Sequence, residues 1–193
     1  ATAAKVFGVG LEQVNSEMRR KAKMVNYGIA YGISAFGLAQ RLNIPRKEAT
    51  EIINQYFAQF SGIRQYMDDT IEFARKHGYV ETVTGRRRYI RDIREANASV
   101  RGSAERNAIN APIQGSAADM IKLAMSSIHR ELRRQRLRTR MLLQVHDELV
   151  FDLYKPEKEV VMPLVEEKMR NAIPLDVPIE VEMGVGKTWL EAH

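Results

Sequence analysis

The spacing of apolar residues predicts helices through the first part of the chain. A short helix and turn are expected over residues 1–14. Apolar positions then recur every three or four residues, the period of an amphipathic helix, over residues 16–32, 34–44, 46–60 and 63–77. The helix at 34–44 is expected to end before Pro45, and Gly62 is expected to separate the last two. Their aromatic side chains are expected to lie in the core.

The pattern of apolar and polar residues predicts β-structure in two places. Residues 79–90 alternate around a glycine, which is typical of a hairpin. Residues 140–153 read as two apolar strands on either side of a polar segment. A second hairpin is therefore predicted, with its turn at or near His146, Asp147 and Glu148.

The remaining pattern completes an α+β fold. A long helix is predicted from about residue 99 to 136, and Pro112 is expected to kink or interrupt it. Another amphipathic helix is predicted over residues 155–172, and residues 177–183 alternate like a strand. Trp189 is expected to fill the core near the C-terminus. The predicted architecture is a helical unit followed by an antiparallel sheet packed on helices.

Composition excludes some chemistry. The 193 residues are 45% apolar and 28% charged, which allows a sizeable core and a soluble chain. There is no cysteine, so disulfides and thiolate metal sites are excluded. No apolar run approaches the roughly 20 residues of a membrane span, and no secretory signal pattern opens the chain. A cytoplasmic protein without a membrane partner is expected.

The positive charge is concentrated in the first half of the chain. Residues 1–97 contain 16 Lys and Arg against 10 Asp and Glu, whereas residues 98–193 contain 14 of each. The net charge of +6 therefore belongs entirely to the first half. A basic half in a chain with a pI of about 9.6 favours a polyanionic partner such as nucleic acid.

Four residues of the first long helix form a stripe. Arg19, Lys23, Tyr27 and Tyr31 are spaced four apart, so they share one helix face. Two cations followed by two aromatic rings can hold a polyanion at one end and a flat base at the other. Gly28 and Gly32 are expected to leave room beside the rings. The alternative is a basic amphipathic helix whose tyrosines pack in a core.

Two further groups point to nucleic acid. Three adjacent arginines follow the turn of the first hairpin and repel one another unless an anion lies near, so Arg86, Arg87 and Arg88 are candidate phosphate contacts. Their alternative is a solvated loop. A second stripe consists of Arg106, Asn110 and Gln114. Amide donors in the minor groove can test base-pair geometry without selecting a sequence, but such residues also occur on ordinary helix surfaces.

Adjacent carboxylates at the second hairpin are candidate metal ligands. Asp147 and Glu148, beside His146, could hold a hard cation such as Mg²⁺, which takes one or two carboxylates together with substrate phosphates. The alternative is a solvated hairpin tip. His146 beside Asp147 also allows a metallohydrolase, but no second histidine cluster accompanies them.

Taken together, these motifs resemble the fingers and palm of a bacterial-type family A DNA polymerase. The family's finger-helix motif, Arg-x3-Lys-x3-Phe/Tyr-x3-Tyr-Gly, matches Arg19 through Gly32. Its minor-groove motif matches ERNAINAPIQGSAAD, which contains Arg106, Asn110 and Gln114, and its palm hairpin matches QVHDE. The resemblance extends along the whole chain and implies a fingers subdomain at 1–97 and the C-terminal part of the palm at 98–193.

The resemblance also implies a role for each residue. Arg19 and Lys23 would bind the triphosphate of the incoming dNTP, and Lys23 would donate a proton to the departing pyrophosphate. Tyr27 would pack on the incoming nucleotide, and Tyr31 would stack at the templating position. Contacts with primer–template DNA would come from Arg106, Asn110, Gln114, His146 and the arginines 86–88.

The same resemblance implies a two-metal reaction. Asp147 would be a ligand of catalytic Mg²⁺, supported by Glu148, with two ions in the complete site. The family's other catalytic aspartate lies upstream of the finger helix in a DYSQIELR-like segment, and no such segment precedes Arg19. The chain is therefore expected to be a fragment that requires upstream polymerase segments and is inactive alone. The competing interpretation is a non-catalytic nucleic-acid-binding module.

Overall fold

The computed structural model describes residues 3, 4 and 9–192. Of the helix and turn expected at 1–14, residues 1, 2 and 5–8 lie outside the described residues, and Leu11–Gln13 form a 3-10 turn. Four α-helices follow, at Ser16–Ala30 (α1), Ala35–Leu42 (α2), Arg46–Gln59 (α3) and Ser61–His77 (α4). The four helices predicted from the apolar spacing over residues 16–77 are therefore confirmed.

The rest of the chain alternates between hairpins and helices. A hairpin consists of Tyr79–Glu81 (β1) and Arg87–Tyr89 (β2), and a 3-10 turn at Arg91–Arg94 leads to the long helix Ala98–Arg134 (α5). The second hairpin consists of Arg140–Val145 (β3) and Glu148–Asp152 (β4). After a 3-10 turn at Lys155–Glu157 the chain continues as Lys158–Arg170 (α6) and Trp189–Ala192 (α7). The fold is α+β, as predicted.

Side chains at the helix N-termini explain where several helices begin. Asn15 accepts a hydrogen bond from the backbone N–H of Met18 at 2.8 Å, and Ser34 accepts one from Gly37 at 3.2 Å. Asn97 accepts one from the N–H of Ser99 at 2.9 Å. Each bond satisfies an N–H group that has no partner within its own helix.

Two compact units divide the chain, one reaching to Gln114 and the other beginning at Gly115. The first unit has one core among α1, α2 and α3, where the buried Tyr56 donates a hydrogen bond to Asn26 at 2.6 Å. Its second core joins α4, the first hairpin and the beginning of α5 through Ala74, Val80, Ile90, Ile93, Ala104, Ala108 and Ala111. That packing places the first turns of α5 in the first unit, although the predicted fingers and palm divide at residue 97. The subdomain assignment stays a prediction.

The core of the second unit lies between α5, α6 and the second hairpin. Its buried residues are Ala124, Ile128, Leu132, Val161 and Val165. Leu149 and Phe151 of β4 pack against this cluster. An antiparallel pair of strands packed on helices is therefore confirmed for this part of the chain.

Three local expectations are wrong. The break between α3 and α4 falls at Phe60 and not at Gly62. Gly62 lies in the first turn of α4, where the backbone N–H groups have no acceptor within the helix. Helix α5 is not interrupted at Pro112, and Ala108 and Ala111, which both precede the proline, are buried in the alanine-rich core. The aromatic residues of α3 and α4 do not all lie in the core, since Phe73 is exposed. Tyr56 is buried, which raises its pKa, and Phe57 packs against the same core while partly exposed.

The C-terminal segment also differs from its prediction. Residues 177–183 belong to no strand of the described structure, although Ile179 and Val181 are less exposed than their neighbours. Alternation sets the faces of an extended segment, but a strand also requires hydrogen bonds to a neighbouring strand. Trp189 does not fill a core, since its side chain is 47% exposed.

Candidate active site

The stripe on α1 faces solvent. Ala22, Val25 and Ile29 bury the opposite side of the helix, whereas Tyr27 is 52% exposed and Tyr31 is 47% exposed. Arg19 and Lys23 are exposed as well. The alternative of tyrosines packed in a core is therefore wrong. We refer to Arg19, Lys23, Tyr27 and Tyr31 as the cationic-aromatic strip.

The two rings of the strip are arranged parallel to each other. Their centroids lie 6.5 Å apart with an interplanar angle of 13°. The ammonium of Lys23 lies 5.8 Å from the centre of the Tyr27 ring, within range of a cation–π interaction. The strip thus offers flat faces at one end and positive charge at the other.

The cations of the strip have no carboxylate partner within residues 3, 4 and 9–192, whereas neighbouring Lys21 pairs with Glu17 at 3.0 Å. This ion pair lowers the pKa of Glu17. Arg19 and Lys23 therefore keep their charge available for an anion. A triphosphate is such an anion, because several phosphate oxygens can accept hydrogen bonds from both side chains.

Gly28 and Gly32 do not open space beside the rings, contrary to expectation. Gly28 is buried, and a Cβ there would lie 3.1 Å from Ile33. Gly32 ends the helical region with a φ of +72°, and a Cβ there would lie 2.9 Å from Cγ of Arg106. The glycine therefore lets the stem of Arg106 lie against the end of the strip. Two motifs far apart in sequence meet at this point.

The contact at Gly32 can be tested by substitution. Gly32→Ala is expected to lower the free energy of unfolding by about 2–3 kcal/mol. Roughly 1–2 kcal/mol comes from the left-handed backbone and about 1 kcal/mol from displacing Arg106. Chemical denaturation followed by circular dichroism measures the loss.

Gly85→Ala is the matched control, since Gly85 has a φ of +81° and a Cβ added there would meet nothing within 4 Å. Only the backbone contribution of about 1–2 kcal/mol is expected there. An equal loss in the two variants would show that the Arg106 contact contributes nothing.

In the second stripe on α5, Arg106 and Gln114 are exposed and Asn110 is half-buried. Arg106 donates to Ser103 Oγ at 2.8 Å, and Asn110 Nδ2 donates to the carbonyl oxygen of Arg106 at 2.9 Å. Gln114 is exposed and is the last residue of the first unit. Because an amide carries two N–H donors, Asn110 keeps one for a further partner. The stripe can present several donors along one line of the helix.

The three arginines of the first hairpin have different surroundings. Arg87 bonds Glu81 at 2.7 Å and lies 4.4 Å from the centre of the Tyr79 ring. The hydrogen bond with Glu81 raises the pKa of Arg87. The backbone N–H of Arg86 donates to Thr82 Oγ1 at 3.2 Å. All three arginines are exposed, and the middle one is held by its ion pair with Glu81.

Arg88 lies at a cavity of about 490 Å³ between the hairpin and the start of α5. Arg91, Ser99, Ser103 and Asn107 are among the residues that line it. These side chains could donate hydrogen bonds to an anion. Arg88 therefore lies among several hydrogen-bond donors, although the carboxylate of Asp92 also lines the cavity.

The carboxylate residues lie at a two-residue turn between β3 and β4. Val145 pairs with Glu148, so His146 and Asp147 form the turn and are exposed. His146 has a φ of +54°, in a region that histidine visits more often than most residues. Gln144 Nε2 donates to the carbonyl oxygen of His146 at 2.5 Å and stabilises the turn. The predicted hairpin and its turn are confirmed.

Glu148 is less exposed than Asp147 and has a partner that the sequence did not indicate. Trp189 Nε1 donates to Glu148 Oε2 at 3.1 Å. The pairing of an indole with this carboxylate could not be found from the sequence, because periodicity carries no information on contacts between distant segments.

Another unpredicted network supports the start of β3. The carboxylate of Glu157 accepts hydrogen bonds from the backbone of Arg138 at 2.8 Å and from the backbone and hydroxyl of Thr139 at 2.9 and 2.8 Å. Partial burial raises the pKa of Glu157, but these hydrogen bonds outweigh burial and leave it below its ordinary value of 4.5. Thr139 in turn accepts from the N–H of Tyr154 at 3.1 Å. The hairpin is therefore tied to the segment that follows it.

The hairpin fits part of a magnesium site. No group of three or more His, Asp or Glu residues that could hold a metal occurs in the part of the chain that the structure describes. Exposed Asp147 and its neighbour Glu148 can supply one or two carboxylates, which is the number Mg²⁺ takes from a protein when phosphates complete its shell.

The candidate residues fall into two groups. The cationic-aromatic strip, Arg106, Asn110, Gln114 and the arginines 86–88 belong to the first unit. His146, Asp147 and Glu148 belong to the second.

Across residues 3, 4 and 9–192, no helix is long and apolar enough to cross a membrane.

Comparison with known proteins identifies the family. The family model described as DNA polymerase family A matches residues 1–191. The DNA polymerase I of Geobacillus stearothermophilus is 53% identical over 191 residues, which are 99% of this chain and 22% of that protein. The DNA polymerase I of Mycobacterium tuberculosis is 51% identical over 187 residues, which are 97% of this chain and 21% of that protein.

A solved structure agrees with these matches. It is described as the POL domain of Pol1 from M. smegmatis in complex with DNA primer-template and dNTP. It is 49% identical with a TM-score of 0.95, and the match covers 99% of this chain and 34% of that chain. An α+β chain with these motifs has the features of a nucleic-acid polymerase domain. The comparisons specify which kind: the chain belongs to DNA polymerase family A.

The chain spans about a fifth of the length of the curated relatives that it matches. It spans about a third of the chain in the similar structure.

Proposed function

We propose that this chain is the part of a DNA-directed DNA polymerase that binds the incoming dNTP and supplies one carboxylate segment of the catalytic site. The cationic-aromatic strip carries the proposal, because it combines exposed parallel rings with two cations that pair with no carboxylate of the described residues. The similar polymerase structure, described as a complex with primer-template and dNTP, supports it.

The proposed reaction is the in-line attack of a primer 3′-hydroxyl on the α-phosphate of a dNTP, with release of pyrophosphate. Arg19 and Lys23 bind the triphosphate, and Lys23 gives a proton to the leaving pyrophosphate. Tyr27 packs against the incoming nucleotide, while Tyr31 stacks at the templating position. The order of residues along the strip, cations first and rings second, fits a nucleotide lying along the helix.

DNA is held by a separate set of residues. Arg106, Asn110 and Gln114 contact the minor groove of primer–template near the new pair, where amide donors suit any correctly paired sequence. The arginines 86–88 contact phosphates, and His146 lies near the primer terminus. Contacts of this kind position the duplex and carry no sequence information.

Asp147 is the proposed metal ligand on this chain, and Glu148 supports it. Two Mg²⁺ ions, when bound in the complete site, would neutralise charge on the reacting phosphate and favour the ionised form of the attacking hydroxyl. Asp147 stands at an exposed turn that Gln144 stabilises, so its carboxylate can be presented to a ligand without a large rearrangement. The proposed setting is the bacterial cytosol and nucleoid.

A primer-extension assay tests this division of labour. The 193-residue chain alone is expected to show no template-directed extension, because it contains no DYSQIELR-like segment with the second catalytic aspartate. A polymerase that includes this chain together with its upstream segments is expected to extend the same primer. Robust incorporation by the chain alone would contradict the requirement for upstream segments, and failure of the longer polymerase would contradict the function itself.

Tyr27 leads to a prediction on nucleotide selectivity. The resemblance places this tyrosine where other family members carry phenylalanine, and members with tyrosine discriminate less against dideoxynucleotides. In the longer polymerase, Tyr27→Phe is expected to raise the preference for dNTP over ddNTP by at least tenfold, equivalent to about 1.4 kcal/mol. Competition between the two nucleotides in single-turnover incorporation measures it. Tyr154→Phe, at an exposed tyrosine outside the strip, is the control. Unchanged selectivity in Tyr27→Phe would remove Tyr27 from the sugar-binding site.

A further inference from the structure

The only tryptophan of the chain contacts the carboxylate hairpin. Trp189 Nε1 donates a hydrogen bond to Glu148 Oε2 at 3.1 Å, and the two residues are 41 positions apart. Almost half of the Trp189 side chain remains exposed. Burial of apolar surface therefore explains the position of the Trp189 ring only in part. The hydrogen bond to Glu148 also helps to fix the ring.

The ring is held by a tight C-terminal turn. Glu191 accepts a hydrogen bond from the backbone N–H of Lys187 at 2.8 Å, and its own N–H donates to the carbonyl oxygen of Thr188 at 3.2 Å. A Cβ at Gly186 would lie 2.5 Å from Cβ of Glu191, so the loop can approach α7 only because glycine stands there. These contacts fix the backbone conformation on either side of Trp189.

The backbone of Glu148 is fixed by the strand. Glu148 is the first residue of β4 and pairs with Val145 across the hairpin. A carboxylate can accept as many as four hydrogen bonds. One bond from the indole therefore restricts the rotation of the Glu148 carboxylate and leaves it able to accept others.

We propose that Trp189 is a positioning residue that holds the Glu148 carboxylate in a fixed orientation beside Asp147. This role rests on the proposed polymerase function, in which Asp147 and Glu148 serve the metal site. Groups that orient metal-binding carboxylates from behind affect metal affinity and activity although they touch neither metal nor substrate. Trp189 has the donor and the location for such a role.

The contact itself can be measured in the 193-residue chain. A single tryptophan gives a single indole N–H cross-peak in a ¹H–¹⁵N correlation spectrum. Glu148→Ala is expected to move this peak upfield in the proton dimension, because a hydrogen bond to a carboxylate is lost. The control Glu180→Ala, on the same C-terminal part of the chain, is expected to leave it unchanged. An unmoved peak in Glu148→Ala would refute the contact.

The positioning role is measured in the longer polymerase. Trp189→Phe keeps a ring and removes the donor, and the Mg²⁺ concentration needed for half-maximal extension is expected to rise about tenfold. The KM for dNTP is expected to stay unchanged. In a Glu148→Ala background the same substitution is expected to have no further effect, because its target is absent.

Two results would overturn the role. One is an unchanged Mg²⁺ requirement in Trp189→Phe, and the other is an equal effect with and without Glu148, which would indicate general structural damage. Failure of the proposed function is distinguishable from both, because it would appear as a lack of extension by the unmodified polymerase. The spectroscopic test of the contact does not depend on activity.

Discussion

Replacing Asp147 by alanine in a polymerase that contains this chain is expected to abolish primer extension while primer–template binding survives. A metal ion that stabilises charge in the transition state contributes several kcal/mol, and each 1.36 kcal/mol is a factor of ten. Loss of its ligand should therefore lower the single-turnover rate by about 10³-fold or more. Rapid-quench incorporation and fluorescence anisotropy of labelled DNA measure the two quantities.

The matched control for Asp147 is Asp152→Ala. Asp152 is an exposed carboxylate at the far end of the same hairpin, where it pairs with Arg140 across the strands. Asp152→Ala removes the same negative charge as Asp147→Ala but no proposed metal ligand. The single-turnover rate is therefore expected to stay within about threefold of the unmodified rate, a difference of less than about 1 kcal/mol. If Asp147→Ala retained most of the rate, the hairpin would be a solvated tip.

Replacing Lys23 by alanine has the second largest expected effect. A positioned general acid contributes about 10²- to 10⁴-fold to a proton-transfer step, and the same ammonium is proposed to bind the triphosphate. The single-turnover rate at saturating dNTP is therefore expected to fall by at least 10²-fold. The concentration of dNTP for half-maximal rate is expected to rise as well. Primer–template affinity should not change, because Lys23 belongs to the nucleotide strip.

Lys21→Ala tests whether the effect at Lys23 is specific. Lys21 carries the same charge on the same helix two positions away, and its ammonium is paired with Glu17 at 3.0 Å. Such an exposed pair contributes at most about 1 kcal/mol to stability, so catalysis should be nearly unaffected. Equal losses of single-turnover rate in Lys21→Ala and Lys23→Ala would mean that catalysis depends only on the total charge of the helix. In that case Lys23 would have no individual role.

The fold was predictable wherever residues close in sequence decide the structure. Asn15 and Ser34 cap helices at the positions where the apolar period begins, so α1 and α2 begin where the pattern indicates. The hairpin of β3 and β4 also follows from two apolar runs on either side of a polar turn. Residues 177–183 show the limit of the same reasoning. Alternation there is present, but the described structure provides no neighbouring strand, and the pattern alone cannot supply one.

The candidate site was predictable as a set of residues and less so as an arrangement. The spacing of four along α1 placed Lys23, Tyr27 and Tyr31 on one face, but it could not show whether that face is buried. Exposure was decided by the packing of Val25 and Ile29 with α2 and α3 on the other side of the helix. The difference matters because only an exposed strip can receive a nucleotide.

By itself, therefore, the sequence determined the helices, the two hairpins, the α+β class and the motifs that resemble family A polymerases. All of these depend on the spacing of residues that are close together in the chain. Only the tertiary structure decided that Gly32 accommodates the stem of Arg106 and that Trp189 bonds Glu148. These contacts join segments far apart in the chain. They depend on how the elements pack, and no periodicity along the sequence encodes which side chains then meet.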